Sequence, residues 1–282
     1  MSENTSPTWL LSGFGDEIDD DPAVQIAVLQ ALGANHIEVR SAWGTNIVDL
    51  SDEQLSRLKE LLAEKDMKVS AIASPIGKVD VSLPAEHEVE RLHRAVNAAK
   101  VLEAQYIRIF SFYYGEDIEV ESIRDAVMER MTALARVAEN AGVVLLHENE
   151  KDIYGDTPDR VLDIIETVDS PALKVAWDAA NFVQVGVKPF DEGYGKLRPH
   201  LEYLQVKDAL FSNGHVTPAG EGDGDLLRTV EALKADGYTG FASLEPHLAG
   251  AHGLGGFSGP TAFGIAARAF AKVTSEAGVQ TA

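Results

Sequence analysis

The sequence contains no cysteine, few basic residues relative to acidic ones, and no long apolar run. Without cysteine the chain has neither a disulfide framework nor a thiolate metal site, which is typical of a protein from a reducing compartment. Lysine and arginine number 24 against 45 aspartates and glutamates, so the formal net charge is −21. A field of this sign repels phosphate backbones and anionic lipids, which argues against nucleic-acid and membrane partners.

The N-terminal segment is polar and lacks the basic and apolar regions of a signal peptide. We therefore predict a cytoplasmic protein, with residues 1–8 flexible. Hydrophobic residues make up 45% of the chain, enough for a substantial core. We expect all 282 residues to form one domain.

Apolar stretches alternate with amphipathic helical segments along the chain. Helix starts are indicated at Asp20–Pro22, Ser51–Glu53 and Thr157–Pro158, where capping side chains or a first-turn proline precede helical spacing of leucines and other apolar residues. The predicted strands are 9–14, 36–39, 69–73, 106–110, 143–146, 173–177, 201–206 and 240–244. Eight strand–helix units without a linker predict a single (β/α)₈ TIM barrel. The alternative, a doubly wound sheet, lacks its Gly-x-Gly-x-x-Gly sequence after the first strand.

Four consecutive predicted strands each end in a group that can bind a metal ion. These are Glu148, Asp178, Gln205 and Glu245. The carboxyl ends of barrel strands meet at one mouth, so the four side chains are expected to converge there. Three carboxylates and an amide oxygen are hard ligands, which favour Mn²⁺, with Mg²⁺ or another divalent ion as alternatives, over a tetrahedral zinc site. The alternative is that each acid caps the next helix or pairs with a base.

These residues also resemble a known group of enzymes. Glu148, Asp178 and Glu245, with the stretches His147–Asn149, Val206–Asp208 and Ala219–Asp223, look like the xylose isomerase-like TIM barrels, a superfamily of sugar isomerases, epimerases and endonuclease IV. The resemblance covers essentially the whole chain and implies that the three acids are metal ligands. Most members have histidine where this chain has Gln205, whose carbonyl oxygen is still able to bind a metal.

Within that superfamily, His147 beside Glu148 together with Gln205 looks most like the large subunit of bacterial C-glycoside deglycosidases. That resemblance implies a metal-dependent lyase that cleaves the bond between a 3-keto sugar and an aromatic aglycone, together with a small partner subunit. A metal that holds the C3 carbonyl acidifies the proton on C2, and after its removal the aglycone is expelled from C1. A sugar isomerase or epimerase, the alternative, uses the same deprotonation. We expect an oligomer in either case.

Further residues are candidates for proton transfer and substrate binding. His147 is suited to acid–base work near neutral pH, although strand alternation turns it away from Glu148, so a structural role under a helix is the alternative. His247 is expected on the same strand face as Glu245, and Lys207 on the same face as Gln205. The alternative role for Lys207 is an ion pair with Asp208. The predicted substrate-binding residues are Asn181, Arg108, Ser111 and Glu17.

Other interpretations are weaker. An endonuclease of the same superfamily requires a basic groove and several zinc ions, which the charge and the eight histidines do not supply. A barrel without catalysis, serving as a scaffold, is the remaining alternative. Residues 249–259 form a glycine-rich segment that we interpret as either a flap over the mouth or an exposed loop.

Overall fold

The computed structural model describes residues 7–252 and 255–282. Eight parallel strands form the barrel wall, and each is followed by a helical connection. The strands are β1 (Thr8–Gly13), β2 (His36–Val39), β3 (Lys68–Ala73), β4 (Tyr106–Ile109), β5 (Val144–Glu148), β6 (Leu173–Asp178), β7 (Leu201–Val206) and β8 (Phe241–Leu244). The predicted flexible segment 1–8 falls partly outside the described residues, and the structure places its last residue, Thr8, in β1.

Strand pairing runs continuously around the barrel. The order β1-β8-β7-β6-β5-β4-β3-β2 is parallel throughout, and a bridge between Phe14 and Glu38 joins β1 to β2, which closes the wall. The C-terminal strand Gln280–Thr281 adds to the outside of β1. The predicted (β/α)₈ TIM barrel is therefore confirmed.

The outer helices follow the sequence signals closely. They are α1 (Pro22–Ala31), α2 (Asp52–Glu64), α3 (Ala85–Val101), α4 (Arg124–Ala141), α5 (Pro158–Val168), α6 (Ala179–Gln184), α7 (Gly195–Leu197), α8 (Leu226–Ala235) and α9 (Gly259–Ala277), with a π-helical segment at Pro189–Tyr194 before α7. Ser51 and Gln54 form a capping box at the predicted start of α2. Thr157 is different, because its hydroxyl makes no capping hydrogen bond and Pro158 alone starts α5.

The core lies between the barrel wall and the helices. Trp9, Trp177, Phe182 and Phe270 are among the largest fully buried side chains. Short hairpins and 3₁₀ turns at the strand ends build the rim of the mouth, including the hairpin Gly250–His252 and Gly255–Phe257 in the glycine-rich segment. Among the residues that the structure describes, no helix is both long and apolar enough to cross a membrane.

Candidate active site

The mouth of the barrel brings three of the predicted metal ligands together. Glu148 at the end of β5, Asp178 at the end of β6 and Glu245 just after β8 each offer a carboxylate oxygen, and these oxygens all lie within 4.8 Å of one another. All three side chains are buried. Their convergence follows from the parallel barrel, which delivers every strand end to the same face.

Cations from three other strands contact these acids. Arg108 on β4 lies 2.8 Å from Glu148 and 3.7 Å from Glu245. Lys207 lies 2.7 Å from Asp178 and 3.1 Å from Glu245, so it does not form the predicted alternative pair with Asp208. Arg40, which follows β2 and was missed in the sequence, lies 3.5 Å from Glu245.

The network carries more negative than positive charge. Its buried carboxylates and cations are Asp16, Glu17, Glu148, Asp178 and Glu245 against Arg40, Arg108 and Lys207, which leaves a formal charge of −2 before His247 is counted. Burial raises the pKa of Asp178 to about 7, although Lys207 opposes it. Burial also raises the pKa of Glu17. Glu245 differs, because burial raises its pKa but Lys207 and His247 outweigh burial and hold that pKa well below its usual value. A bound divalent cation would neutralise the surplus negative charge of the network.

Gln205 has a buried side-chain amide that fits a role as a metal ligand. Its side chain is fully buried, and within residues 7–252 and 255–282 neither its amide oxygen nor its amide nitrogen has a hydrogen-bond partner. Gln205 pairs in register with Asp178, so both side chains point into the barrel at the same level. An unsatisfied buried amide costs about 1–3 kcal/mol, which binding of a ligand to it offsets. The donor set therefore fits a hard divalent metal such as Mg²⁺ or Mn²⁺.

His247 and Glu17 form a second group that shares Glu245. The His247 Nε2 atom lies 3.2 Å from Glu17 Oε1 and 3.3 Å from Glu245 Oε1. Glu17 also accepts hydrogen bonds from the backbone N–H of His247 and from the Ser258 hydroxyl, each at 2.8 Å. This holds His247 in the left-handed region, with φ of 47°. Glu17 therefore positions His247, and its predicted contact with substrate stays a prediction.

Two candidates lie away from the carboxylates. His147 is fully buried and packs against Gly155. The approach is close, since a Cβ added to Gly155 would lie 2.5 Å from the imidazole ring. Burial lowers the pKa of His147 to about 3, so the ring is neutral at ordinary pH. Ser111 accepts a hydrogen bond from the backbone N–H of Gly155. The structure brings neither residue to the carboxylate cluster, and strand alternation, which turns His147 from Glu148, already indicated this for His147.

Two asparagines fix the orientation of the ligands. Asn181, at the start of α6, donates to Glu148 Oε1 at 3.1 Å and to the backbone carbonyl of Asn149. Asn149 in turn exchanges hydrogen bonds with the backbone of Asp178 at 2.8 and 3.1 Å. Because the amides hold the ends of β5 and β6 together, they position both carboxylates. Asn181 also lines the cavity, where its predicted contact with substrate hydroxyls stays a prediction.

Asp208 organises the glycine-rich loop of residues 219–225. Its two carboxylate oxygens accept hydrogen bonds from the backbone N–H groups of Ala209, Gly220, Gly222 and Gly224, at 2.8 to 3.1 Å. The glycines allow this approach, since a Cβ on Gly222 would lie 2.4 Å from Asp208 Oδ1. The loop thus wraps an internal carboxylate and fixes the position of the preceding Lys207.

A cavity opens from the cluster to solvent. Its outer part has a volume of about 650 Å³ and is lined by residues that include Lys207, Asn181, His247, Tyr113, Glu150 and Lys78. A deeper space of about 60 Å³ is bounded by Arg40, Arg108, Glu245, His247, Glu150 and Lys78. Glu150 and Lys78 were not predicted. Glu150 had a signal, since it shares strand parity with Glu148, whereas Lys78 reaches the mouth from a loop that periodicity does not place.

Comparison with known proteins agrees with the barrel fold. The family model described as "Xylose isomerase-like TIM barrel" matches residues 26–269. A relative, 3-dehydroshikimate dehydratase of Bacillus anthracis, is 23% identical over 186 residues, which is 64% of this chain and 65% of the relative. This match thus spans just under two thirds of the relative's length.

Two solved structures show the same fold. A 3-keto-D-glucoside 4-epimerase from E. coli has a TM-score of 0.72 at 14% identity and covers 94% of this chain and 99% of that chain. A xylose isomerase-like TIM barrel protein from Mycobacterium smegmatis, in complex with magnesium, has a TM-score of 0.70 at 20% identity and covers 98% and 99%. At these identities the likeness establishes architecture.

Proposed function

The chain belongs to the xylose isomerase-like TIM barrel family, and from that premise we propose that it is a divalent-metal-dependent enzyme that removes a proton next to the carbonyl group of a keto sugar. The observation that carries the proposal is the convergence of Glu148, Asp178 and Glu245 beside the unpartnered amide of Gln205. These four residues would hold a divalent ion, which would supply Lewis-acid polarisation of a carbonyl oxygen and so acidify the adjacent C–H bond.

The chain's own residues complete the reaction environment. Burial alone would lower the pKa of Lys207, but Asp178 and Glu245 outweigh it and hold that pKa well above its usual value. Lys207 therefore stays cationic and is placed to stabilise negative charge that develops on a substrate oxygen. Arg108 holds Glu148 in place through its 2.8 Å contact. His247 lines both parts of the cavity and is available to give a proton to a leaving group or to a carbon.

The finer proposal is a lyase that acts on 3-keto C-glycosides. Loss of the C2 proton moves its electron pair toward the C3 oxygen. The pair then returns, a C1–C2 double bond forms and the C1–aglycone bond breaks, and the departing carbon takes a proton. The sequence resemblance to C-glycoside deglycosidases supports this reaction, and the dehydratase relative supports elimination next to a carbonyl. A small partner subunit and an oligomeric assembly belong to the same proposal.

The second candidate is a keto-sugar epimerase or isomerase. It shares the first proton abstraction and differs in that the proton returns to carbon and no bond to an aglycone breaks. The fold shared with a 3-keto-D-glucoside 4-epimerase favours it, because that protein's name gives a 3-keto sugar as substrate.

Product analysis separates the two candidates. The purified chain is loaded with Mn²⁺ and incubated with a 3-keto C-glucoside or with free ketohexoses, alone and with any small protein encoded beside it, and products are followed by mass spectrometry. Release of free aglycone supports the lyase. Conversion among sugars alone supports the epimerase, and loss of both activities in EDTA is expected in either case. Turnover that persists after complete metal removal would refute the proposal.

A further inference from the structure

One carboxylate at the mouth lies outside the metal-binding set. Glu150 lines both the outer cavity and the deeper space of about 60 Å³, where it faces Glu245 and His247. A volume of this size holds about two water molecules or one small group of a substrate. The deeper space is therefore where a substrate atom next to the metal site would lie, and Glu150 forms part of its wall.

The chain fixes the orientation of Glu150. It lies two residues after Glu148, so strand alternation carries both side chains to the barrel side, while Asn149 between them turns to the backbone of Asp178. Glu150 Oε2 lies 3.1 Å from Lys78 Nζ, and Oε1 accepts a hydrogen bond from the backbone N–H of Lys151 at 3.1 Å. Its side chain is 15% exposed, toward the cavity. Glu150 therefore lines the cavity with carboxylate lone pairs that these two contacts do not use.

The other carboxylates have structural tasks. Glu148 is bound by Arg108 and Asn181, Asp178 by Lys207, and Glu245 by Lys207 and Arg108. In the proposed function these three also hold the metal, which reduces their basicity. Glu17 is fully buried behind His247 and does not line the cavity. Glu150, in contrast, is half-buried and outside the metal-binding set, and among the described residues its cation, Lys78, forms no ion pair with Glu148, Asp178 or Glu245.

We infer that Glu150 is the base that takes the substrate proton, with Lys78 as its positioning residue. The inference rests on the proposed function. The C–H bond next to the carbonyl breaks, its electron pair moves toward the carbonyl oxygen, and the proton forms an O–H bond with Glu150. His247, across the deeper space, supplies the proton that the product needs. His247 is protonated before this transfer and neutral after it, and the proton on Glu150 then passes to His247 through solvent, so both residues end as they began.

The experiment measures proton abstraction directly. Wild-type chain loaded with Mg²⁺ is incubated in D₂O with a methyl 3-keto-glucoside, and deuterium uptake next to the carbonyl is followed by mass spectrometry against an enzyme-free blank. Glu150→Gln is expected to lower the exchange rate about 100-fold or more, as for removal of a general base. Mn²⁺ affinity, measured by calorimetry, should stay within about threefold. Glu231→Gln, an exposed substitution on α8, should exchange like wild type.

Chemical rescue by formate distinguishes a catalytic role of Glu150 from a role in folding. Formate added to Glu150→Ala supplies a free carboxylate in the vacated space and should restore at least about tenfold of the lost exchange, which a purely structural role would not allow. No exchange in the wild type would overturn the proposed function itself. Two outcomes would overturn only the role of Glu150. One is an exchange rate in Glu150→Gln within threefold of the wild-type rate. The other is a Glu150→Ala variant that binds Mn²⁺ normally but whose exchange rate does not rise with formate.

Discussion

Glu38 lies inside the barrel below the mouth and gives a quantitative prediction about stability. It is fully buried, and its Oε2 accepts a hydrogen bond from the Tyr203 hydroxyl at 2.9 Å. Burial raises the pKa of Glu38 from 4.5 to about 7, while Arg108 opposes the rise. The folded chain therefore retains a proton on Glu38 that the unfolded chain has already lost near neutral pH.

The sign and size of the effect follow from this shift. Below pH 4.5 both states are protonated, so Glu38 costs nothing. As the pH rises from 4.5 to 7 the unfolded state loses its proton first, so the free energy of unfolding falls. A rise of about 2.5 pKa units corresponds to about 3 kcal/mol, since each unit is 1.36 kcal/mol. The loss is complete above pH 7.

Glu38→Gln tests this reasoning because the amide is close in shape and cannot ionise. Urea unfolding at pH 4.5, 6 and 8 gives the free energy of unfolding of both chains, and effects of other acids cancel in the difference. Between pH 4.5 and 8 the wild type should lose about 3 kcal/mol more than the variant. Glu231→Gln should track the wild type at every pH. A wild-type-to-variant difference that is constant within 1 kcal/mol, or that changes in the opposite direction, would refute the buried, proton-retaining Glu38.

Four further substitutions test the site and its support. Gly256→Ala would place a Cβ 1.7 Å from His247 Cδ2 and so displace the imidazole. We expect kcat to fall roughly 100-fold. Unchanged Mn²⁺ affinity in the same variant would show that the effect is confined to His247 and does not reach the metal-binding residues. Asp208→Ala leaves four backbone N–H groups without their carboxylate and should lower the free energy of unfolding by roughly 3 kcal/mol; a loss below 1 kcal/mol in urea unfolding would contradict the account of that loop. Glu148→Gln and Glu245→Gln should each abolish turnover in the product assay, and near-normal activity in either would remove it from the site.

Sequence reasoning reached the fold and most of the carboxylates because both depend on local patterns. Apolar runs that end in an acid mark the strand ends, and a parallel barrel brings those ends together without further information. Contacts of Arg40 and Lys78 were not accessible in this way, because they depend on how loops fold over the mouth. Glu150 and the orientation of His147 were only partly predictable from the sequence. Strand parity indicated both, but only the cavity shows that Glu150 faces open space and that His147 packs under Gly155.

The central claim is that one divalent ion binds where Glu148, Asp178, Gln205 and Glu245 converge, and titration calorimetry with Mn²⁺ on the metal-stripped chain tests it most directly. We expect one ion per chain in the wild type and, in Asp178→Asn, an affinity reduced at least about tenfold. Binding of equal stoichiometry and affinity in Asp178→Asn, or no saturable Mn²⁺ or Mg²⁺ binding in the wild type, would contradict it.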